Sequence, residues 1–154
     1  MTLDAYLGSF GPIPVHMSFI SLCMAMETIV DGTNELTYRM RRSMALLCAE
    51  NSYHAKQIYN SVKLVYDLRS GIVHGGGVDF TLIGQYIPYL RALISRLIIK
   101  LVRLNVKTAT ELQDMLVFMG FADRNATLQI EKPLINLFTH IDTMKTLKKK
   151  AAKK

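Results

Sequence analysis

The chain of 154 residues is 50% hydrophobic and 20% charged, which is the balance of a globular protein. Its length predicts one domain with a sizeable core, and its composition excludes a disordered chain and a disulfide-stapled miniprotein. The net charge is +7, but five lysines in 148–154 leave only +2 on the preceding residues. We therefore treat 1–147 as a single domain and 148–154 as a basic tail.

Two interpretations of this tail stay open. It is either a solvated, frayed helix end or an electrostatic arm for RNA phosphates or an anionic surface. A basic peripheral protein that works through this arm is one possible class of function.

The cysteines and the apolar segments indicate a cytoplasmic location. Cys23 and Cys48 lie in apolar helical segments without a CxxC motif, which favours reduced, buried thiols. The apolar stretch 17–26 is too short to span a bilayer, and basic residues interrupt the stretch 87–104. We expect no membrane-spanning segment and no signal peptide.

The hydrophobic periodicity is helical along nearly the whole chain and predicts an all-α helical bundle of five or six helices. Asn51 and Ser52 mark a helix start, Thr108 and Glu111 form a capping box, and Gly120 is expected to close the helix that the box opens. The predicted helices cover 15–30, 34–50, 53–69, 86–105, 109–119 and 132–149.

The predicted helix 86–105 carries two further patterns. Four basic residues at helical spacing form a stripe, which is most simply a solvated outer face: Arg96, Lys100, Arg103 and Lys107. Four apolar residues extend the apolar surface of this helix beyond the face that is expected to pack on the core: Ile94, Ile98, Ile99 and Val102. This extra apolar surface favours a homodimer.

The segment 69–77, RSGIVHGGG, is the strongest break in the helical pattern. It lacks the lysine and hydroxyl of a phosphate-binding P-loop, and the chain contains neither HExxH nor GxSxG. No two of the four histidines are spaced as metal ligands, so we expect no metal and no other cofactor. We expect His16, His54 and His140 to be surface or packing residues.

Arg69 and His74 are the remaining candidates for chemistry. On an ideal helix, five residues turn about 140° past a full circle, so the two side chains diverge unless the glycines let the backbone leave the helix and re-aim His74. Arginine grips phosphate and histidine moves protons near neutral pH. Alternatively, Arg69 caps helix carbonyls and His74 is an ordinary turn residue.

The run YDLRSGIVHGG, residues 66–76, resembles the signature of HEPN domains, most closely the Apea-like branch. That signature is an arginine, four to six residues and a histidine. Upstream, Glu27-Thr28-Ile29 and the segment 35–39 followed by Arg42 fit the family in order. The similarity covers about residues 15–77.

The resemblance implies a dimeric helical bundle that acts as a metal-independent endoribonuclease, with the motifs of two chains in one composite cleft. It implies RNA as substrate, and an antitoxin or a regulatory domain outside this chain as a further partner. Arg69 and His74 would be catalytic, Ser70 would help to position phosphate, and Glu27 and Asp67 are candidates for orienting Arg69. For Asp67, a plain helix-surface carboxylate is an equal alternative.

Two classes of function follow. The first is a ribonuclease of phage defence, a toxin–antitoxin pair or a stress response, which cleaves RNA by attack of the ribose 2′-OH. The second is a non-catalytic HEPN-like module for dimerisation or for binding RNA or nucleotides.

Overall fold

The computed structural model describes residues 2–30, 35–76 and 79–121. These residues form six α-helices and no strand, which confirms the predicted all-α bundle. The predicted helix 132–149, His140 and the tail 148–154 lie outside the described residues. The helices are α1 Thr2–Gly8, α2 Val15–Glu27, α3 Leu36–Cys48, α4 Ser52–Val73, α5 Phe80–Arg103 and α6 Ala109–Phe121.

Helix α2 is the centre of the bundle because it packs on α1, α3, α4 and α5. Its fully buried residues include Phe19, Leu22 and Cys23, as the all-round apolar sequence predicts. The helix ends at Glu27, three residues earlier than the predicted bound at 30. The chain tightens there into a turn, in which the Thr28 hydroxyl donates to the carbonyl of Ala25.

Helices α3 and α4 form an antiparallel hairpin. They are joined at 49–51, where Asn51 Oδ1 accepts a hydrogen bond from the His54 amide at 2.9 Å. This contact confirms the predicted N-cap and satisfies one of the free amides of the first turn of α4. Cys48 and Cys23 are both free and fully buried, as expected of reduced structural thiols.

Helix α4 does not stop at residue 69, so the predicted break is wrong. The helix continues through Gly71 to Val73 and ends in a Schellman motif, in which the Gly76 amide donates to the carbonyl of Gly71 and that of Gly75 to Ile72. Gly75 takes a φ of +71°, which glycine adopts without strain. Gly75 and Gly76 therefore end the helix after the segment from Arg69 to His74, and Gly71 does not interrupt the helix within that segment.

Helix α5 begins six residues before the predicted start. Asp79 is its N-cap and accepts hydrogen bonds from the amides of Thr81 and Leu82 at 2.8 and 3.3 Å. The helix also contains Pro88, which removes one backbone donor but leaves the helix continuous. It ends where Asn105 takes a φ of +51°. Lys107 therefore lies beyond α5, and the prediction that it continues the basic stripe is wrong.

Helix α6 begins with half of the predicted capping box. The Thr108 hydroxyl accepts from the Glu111 amide at 3.1 Å, but the Glu111 carboxylate accepts from the amide of Lys107 at 2.8 Å and not from that of Thr108. Gly120 does not close the helix, which continues to Phe121. The guanidinium of Arg42 lies against the α-carbon of Gly120, in the space that a larger side chain would fill. The glycine therefore serves helix packing rather than helix termination.

Helix α1 was not predicted from the sequence. Hydrogen bonds tie it to the bundle: Tyr6 contacts Ser95 of α5, and the backbone oxygen of Ser9 accepts from Arg91 and from Ser18. Seven residues of weak periodicity give no helical pattern on their own, and these contacts with distant parts of the chain hold the helix in place.

By length and composition, one helix among the described residues, α5, is long and apolar enough to cross a membrane. Half of its most apolar window is buried inside the bundle, as in the core helix of a soluble protein, which passes the same test. The expectation that the chain has no membrane-spanning segment stays a prediction.

Candidate functional site at the ends of α2 and α4

Arg69 and Glu27 form an ion pair that joins the C-terminal ends of α4 and α2. Arg69 Nε lies 2.9 Å from Glu27 Oε1, and Nη2 donates a hydrogen bond to Oε2 at 3.3 Å. The close Nε–Oε1 contact is electrostatic, because neither atom has a well-aligned hydrogen bond within the described residues. The side chains are 26% and 21% exposed, so water only partly screens the attraction. The pair brings together two of the residues that the sequence singles out.

Tyr66 completes this cluster and was not among the predicted site residues. The Arg69 guanidinium lies 5.3 Å from the centre of the Tyr66 ring, within range of a cation–π interaction. Burial is the main cause that raises the pKa of Tyr66, and the charge of Glu27 raises it further. Position 66 lies three residues before Arg69, so helical spacing was the signal that could have identified it.

Cys23 lies beneath the ion pair, one turn before Glu27 on α2. Burial raises the pKa of its thiol well above the ordinary range, and the charge of Glu27 acts in the same direction. A thiol that stays protonated is a poor nucleophile, so Cys23 belongs to the packing of the site and not to its chemistry.

Ser70 and His74 lie apart from the ion pair. Both are exposed, and His74 is the C-cap residue of α4, with its amide donating to the carbonyl of Ser70 at 3.0 Å. Because α4 stays helical to Val73, the two residues share a face about 100° or more away from Arg69 around the helix axis. The expectation that the glycines re-aim His74 beside Arg69 is wrong, because the helix continues between them.

Asp67 does not orient Arg69. It is exposed and accepts a hydrogen bond from Lys63 Nζ at 2.7 Å, one turn earlier on α4. This is the helix-surface carboxylate that the sequence left as the alternative. Of the two candidates for orienting Arg69, only Glu27 touches it.

The described residues contain no group of three or more metal-ligating side chains that could hold a metal ion. His16 is half-buried and packs against Phe80, with ring centres 5.3 Å apart and the ring planes tilted by 51°. His54 is half-buried, with Nδ1 3.9 Å from Glu50 Oε2. Both are packing residues, as predicted.

The apolar surplus on α5 is smaller than the sequence indicates. Ile94 is fully buried and Ile98 and Ile99 are half-buried, whereas Val102 is 74% exposed. A single chain therefore covers most of these side chains itself. Dimerisation stays a prediction, and α5 gives it less support than expected.

Comparison with protein-family models, with curated proteins and with solved structures finds no significant match to this chain.

Proposed function

We propose that this chain is a metal-independent endoribonuclease of the HEPN type, which cleaves RNA by attack of the ribose 2′-OH in a cleft formed by two copies. The biological setting that the proposal favours is phage defence, a toxin–antitoxin pair or a stress response. The observation that carries it is the half-buried ion pair between Glu27 and Arg69, which connects the two segments of the HEPN resemblance.

A fixed guanidinium suits phosphodiester chemistry. Arginine has five N–H donors, and the contacts to Glu27 use only the Nε and Nη2 side of the group. A phosphate can therefore bind the remaining donors while Glu27 keeps the side chain oriented. A positioned cation of this kind stabilises the charge that develops on phosphorus in the transition state.

The divergence of Arg69 and His74 within one chain supports a site made by two chains. Within one chain, an exposed histidine on another face of α4 does not share a pocket with Arg69. In a cleft between two chains, a phosphate that lies between the two α4 ends can be approached by Arg69 and His74 of both copies. Exposed Val73, on the face of α4 that carries Arg69, provides apolar surface for such a contact.

The proposed reaction needs no metal. His74 of one copy takes the proton of the 2′-OH, and the 2′-oxygen forms a bond to phosphorus while the bond to the 5′-oxygen breaks. His74 of the other copy donates a proton to that leaving oxygen. Arg69 stabilises the transition state, and Ser70 positions the phosphate. The products are a 2′,3′-cyclic phosphate and a 5′-hydroxyl, and DNA is not a substrate because it lacks the 2′-OH.

Cleavage of a labelled structured RNA in EDTA tests the proposal. We expect cleavage by the wild-type protein and none by His74→Ala or Arg69→Ala. Asp67→Ala is the matched control, because this carboxylate lies on the same helix without touching Arg69, and its activity should equal that of the wild type. Equal cleavage by all four proteins, or activity on the all-DNA analogue, would refute the assignment.

The second candidate is a non-catalytic module that dimerises or binds RNA or nucleotides. The observation that favours it is that Arg69 is already paired with Glu27, as in a purely structural ion pair. This alternative predicts RNA binding or dimerisation without cleavage under any condition. It also predicts that Arg69→Ala lowers stability while leaving RNA binding unchanged.

A further inference from the structure

A second group of charged residues lies at the other end of α4 from Arg69. Arg96, Lys100 and Arg103 follow one another at i, i+4 and i+7 along α5, so they share one face of that helix. Arg96 reaches the start of α4, where Nη2 lies 2.9 Å from Oε1 of Glu50. His54 and Arg69 are separated by about 22 Å along α4, at 1.5 Å per residue, so the two clusters are distinct.

The sequence of α5 and the turn that follows it is basic. Residues 80–110 contain five basic residues and no acidic one. Glu50 has a single negative charge, and its carboxylate faces both Arg96 and, at 3.9 Å, Nδ1 of His54. Because burial lowers the pKa of His54, this imidazole adds little positive charge at neutral pH.

The three basic side chains differ in exposure. Arg96 is only 11% exposed, its Nη2 is paired with Glu50, and its Nε and Nη1 atoms are buried without a hydrogen-bond partner among the described residues, so it is fixed in place beneath the surface. Lys100 is half-buried and Arg103 is exposed. The pKa of Lys100 is lowered by burial first and then by the charges of Arg96 and Arg103, as expected for three cations close together.

We propose that Arg96, Lys100 and Arg103 form a phosphate-binding surface, in which Lys100 and Arg103 contact the phosphate and Arg96, held by Glu50, forms the base of the surface. An ammonium and a guanidinium one turn apart on a helix suit the oxygens of a phosphate group. The phosphate can belong to a nucleic-acid strand or to a free nucleotide. Lys107 is not part of the surface, because it follows the end of α5 and its amide donates to the Glu111 carboxylate.

Binding of a fluorescein-labelled single-stranded RNA 12-mer tests this surface. The measurement uses the full chain carrying His74→Ala, so that it does not depend on whether the protein cleaves RNA. We expect the double substitution Lys100→Gln and Arg103→Gln to weaken binding about tenfold or more and to lower the slope of log K against log salt by about 1.4. If the wild-type protein does not cleave RNA, the phosphate-binding proposal is unaffected. If the double variant binds RNA normally, the nuclease proposal is unaffected.

Lys56→Gln is the matched control. This exposed lysine lies on α4, about 160° around the helix axis from His54. Its substitution therefore removes a nearby charge that is not part of the proposed surface. Its effect on binding should be under twofold. A loss of log K in Lys56→Gln that is half of the loss in the double variant, or more, would overturn the proposal, because each removed charge would then count equally wherever it lies.

Competition identifies the source of the phosphate. Displacement of the RNA by submillimolar ATP from the protein that carries only His74→Ala, but not from the double variant in the same background, indicates a free nucleotide as ligand. Resistance to ATP, together with the loss in the double variant, indicates a nucleic-acid strand. Displacement by poly-glutamate as effectively as by unlabelled RNA would overturn the proposal, because the surface would then bind any polyanion. Thermal melting of all variants confirms that they are folded.

Discussion

The carboxylate of Glu27 lies 2.9 Å from the Nε of Arg69 and connects the C-terminal ends of α2 and α4. Both side chains are mostly buried, although neither belongs to the apolar core. The pair places a positive charge at the edge of the bundle in a fixed orientation. The proposed ribonuclease activity and the stability of this end of the bundle therefore depend on the same contact.

Glu27→Gln removes the negative charge and leaves Arg69 partly buried without its counterion. We expect a loss of unfolding free energy of about 1–2 kcal/mol, between the values for exposed and buried ion pairs. Urea denaturation measures it. The control is Asp67→Asn, which breaks an exposed pair with Lys63 and should cost less than about 0.5 kcal/mol. Equal small losses in both variants would show that the Glu27–Arg69 pair contributes nothing beyond a surface contact.

If the proposed cleft needs His74 from both copies, a His74→Ala chain inactivates the wild-type chain with which it pairs. In an equimolar mixture of wild-type and His74→Ala protein, about a quarter of random pairs contain two wild-type chains. Cleavage per wild-type chain should therefore fall to about half of its undiluted value, and further as the mutant is added in excess. Activity per wild-type chain that stays constant would show that each chain works alone.

The buried thiol of Cys48 makes stability depend on pH in the alkaline range. Burial raises its pKa from 9.0 to about 12 in the folded state, whereas the unfolded chain exposes an ordinary thiol. Between these values the unfolded state loses a proton that the folded state keeps, so rising pH favours unfolding. The expected contribution is a loss of about 1.4 kcal/mol per pH unit above pH 9.

Urea midpoints between pH 7 and pH 11 measure this loss, and Cys48→Ala provides the comparison. The variant is less stable at neutral pH because it leaves a cavity, but its stability should fall less steeply above pH 9. Parallel curves for the two proteins would show that Cys48 does not titrate differently in the folded and unfolded states.

Asp79→Ala tests the early start of α5. The side chain caps two amides of the first turn, so its loss should cost about 1 kcal/mol of unfolding free energy. Asp79→Asn keeps an acceptor oxygen and should restore most of that stability. If Asp79→Ala were as stable as the wild type, α5 would begin later in the chain, near the start that the sequence alone indicates.

Long apolar patterns and side-chain caps predicted the fold well. The helical periodicity of α3, α4 and α5 and the N-caps at Asn51 and Thr108 need only local sequence, and the structure contains these helices and both caps. The helix ends were less predictable where glycine was involved. Glycine at position 71 or 120 is compatible with either a helix interior or a helix end, and tertiary packing decides between them.

The candidate site was predictable only in part. The pairing of Glu27 with Arg69 joins residues 42 positions apart, so no helical spacing indicates it, and only the HEPN resemblance placed both residues in one site. The divergence of Arg69 from His74 followed from helix geometry once α4 was known to continue. The predicted role of the glycines was wrong because Gly71 stays within the helix, and the chain leaves the helix only at Gly75, after His74.

The attachment of α1 to α5 affects how the chain folds during synthesis. Tyr6 contacts Ser95, 89 residues later, and an isolated helix of seven residues is unstable in water. At usual translation rates of about 5–20 residues per second, the ribosome needs roughly 5–20 s to make the intervening chain. During that interval α1 can pack on α2, its main partner in the bundle, but it lacks the hydrogen bond to α5, and a chaperone at the ribosomal exit would meet it in this half-docked state.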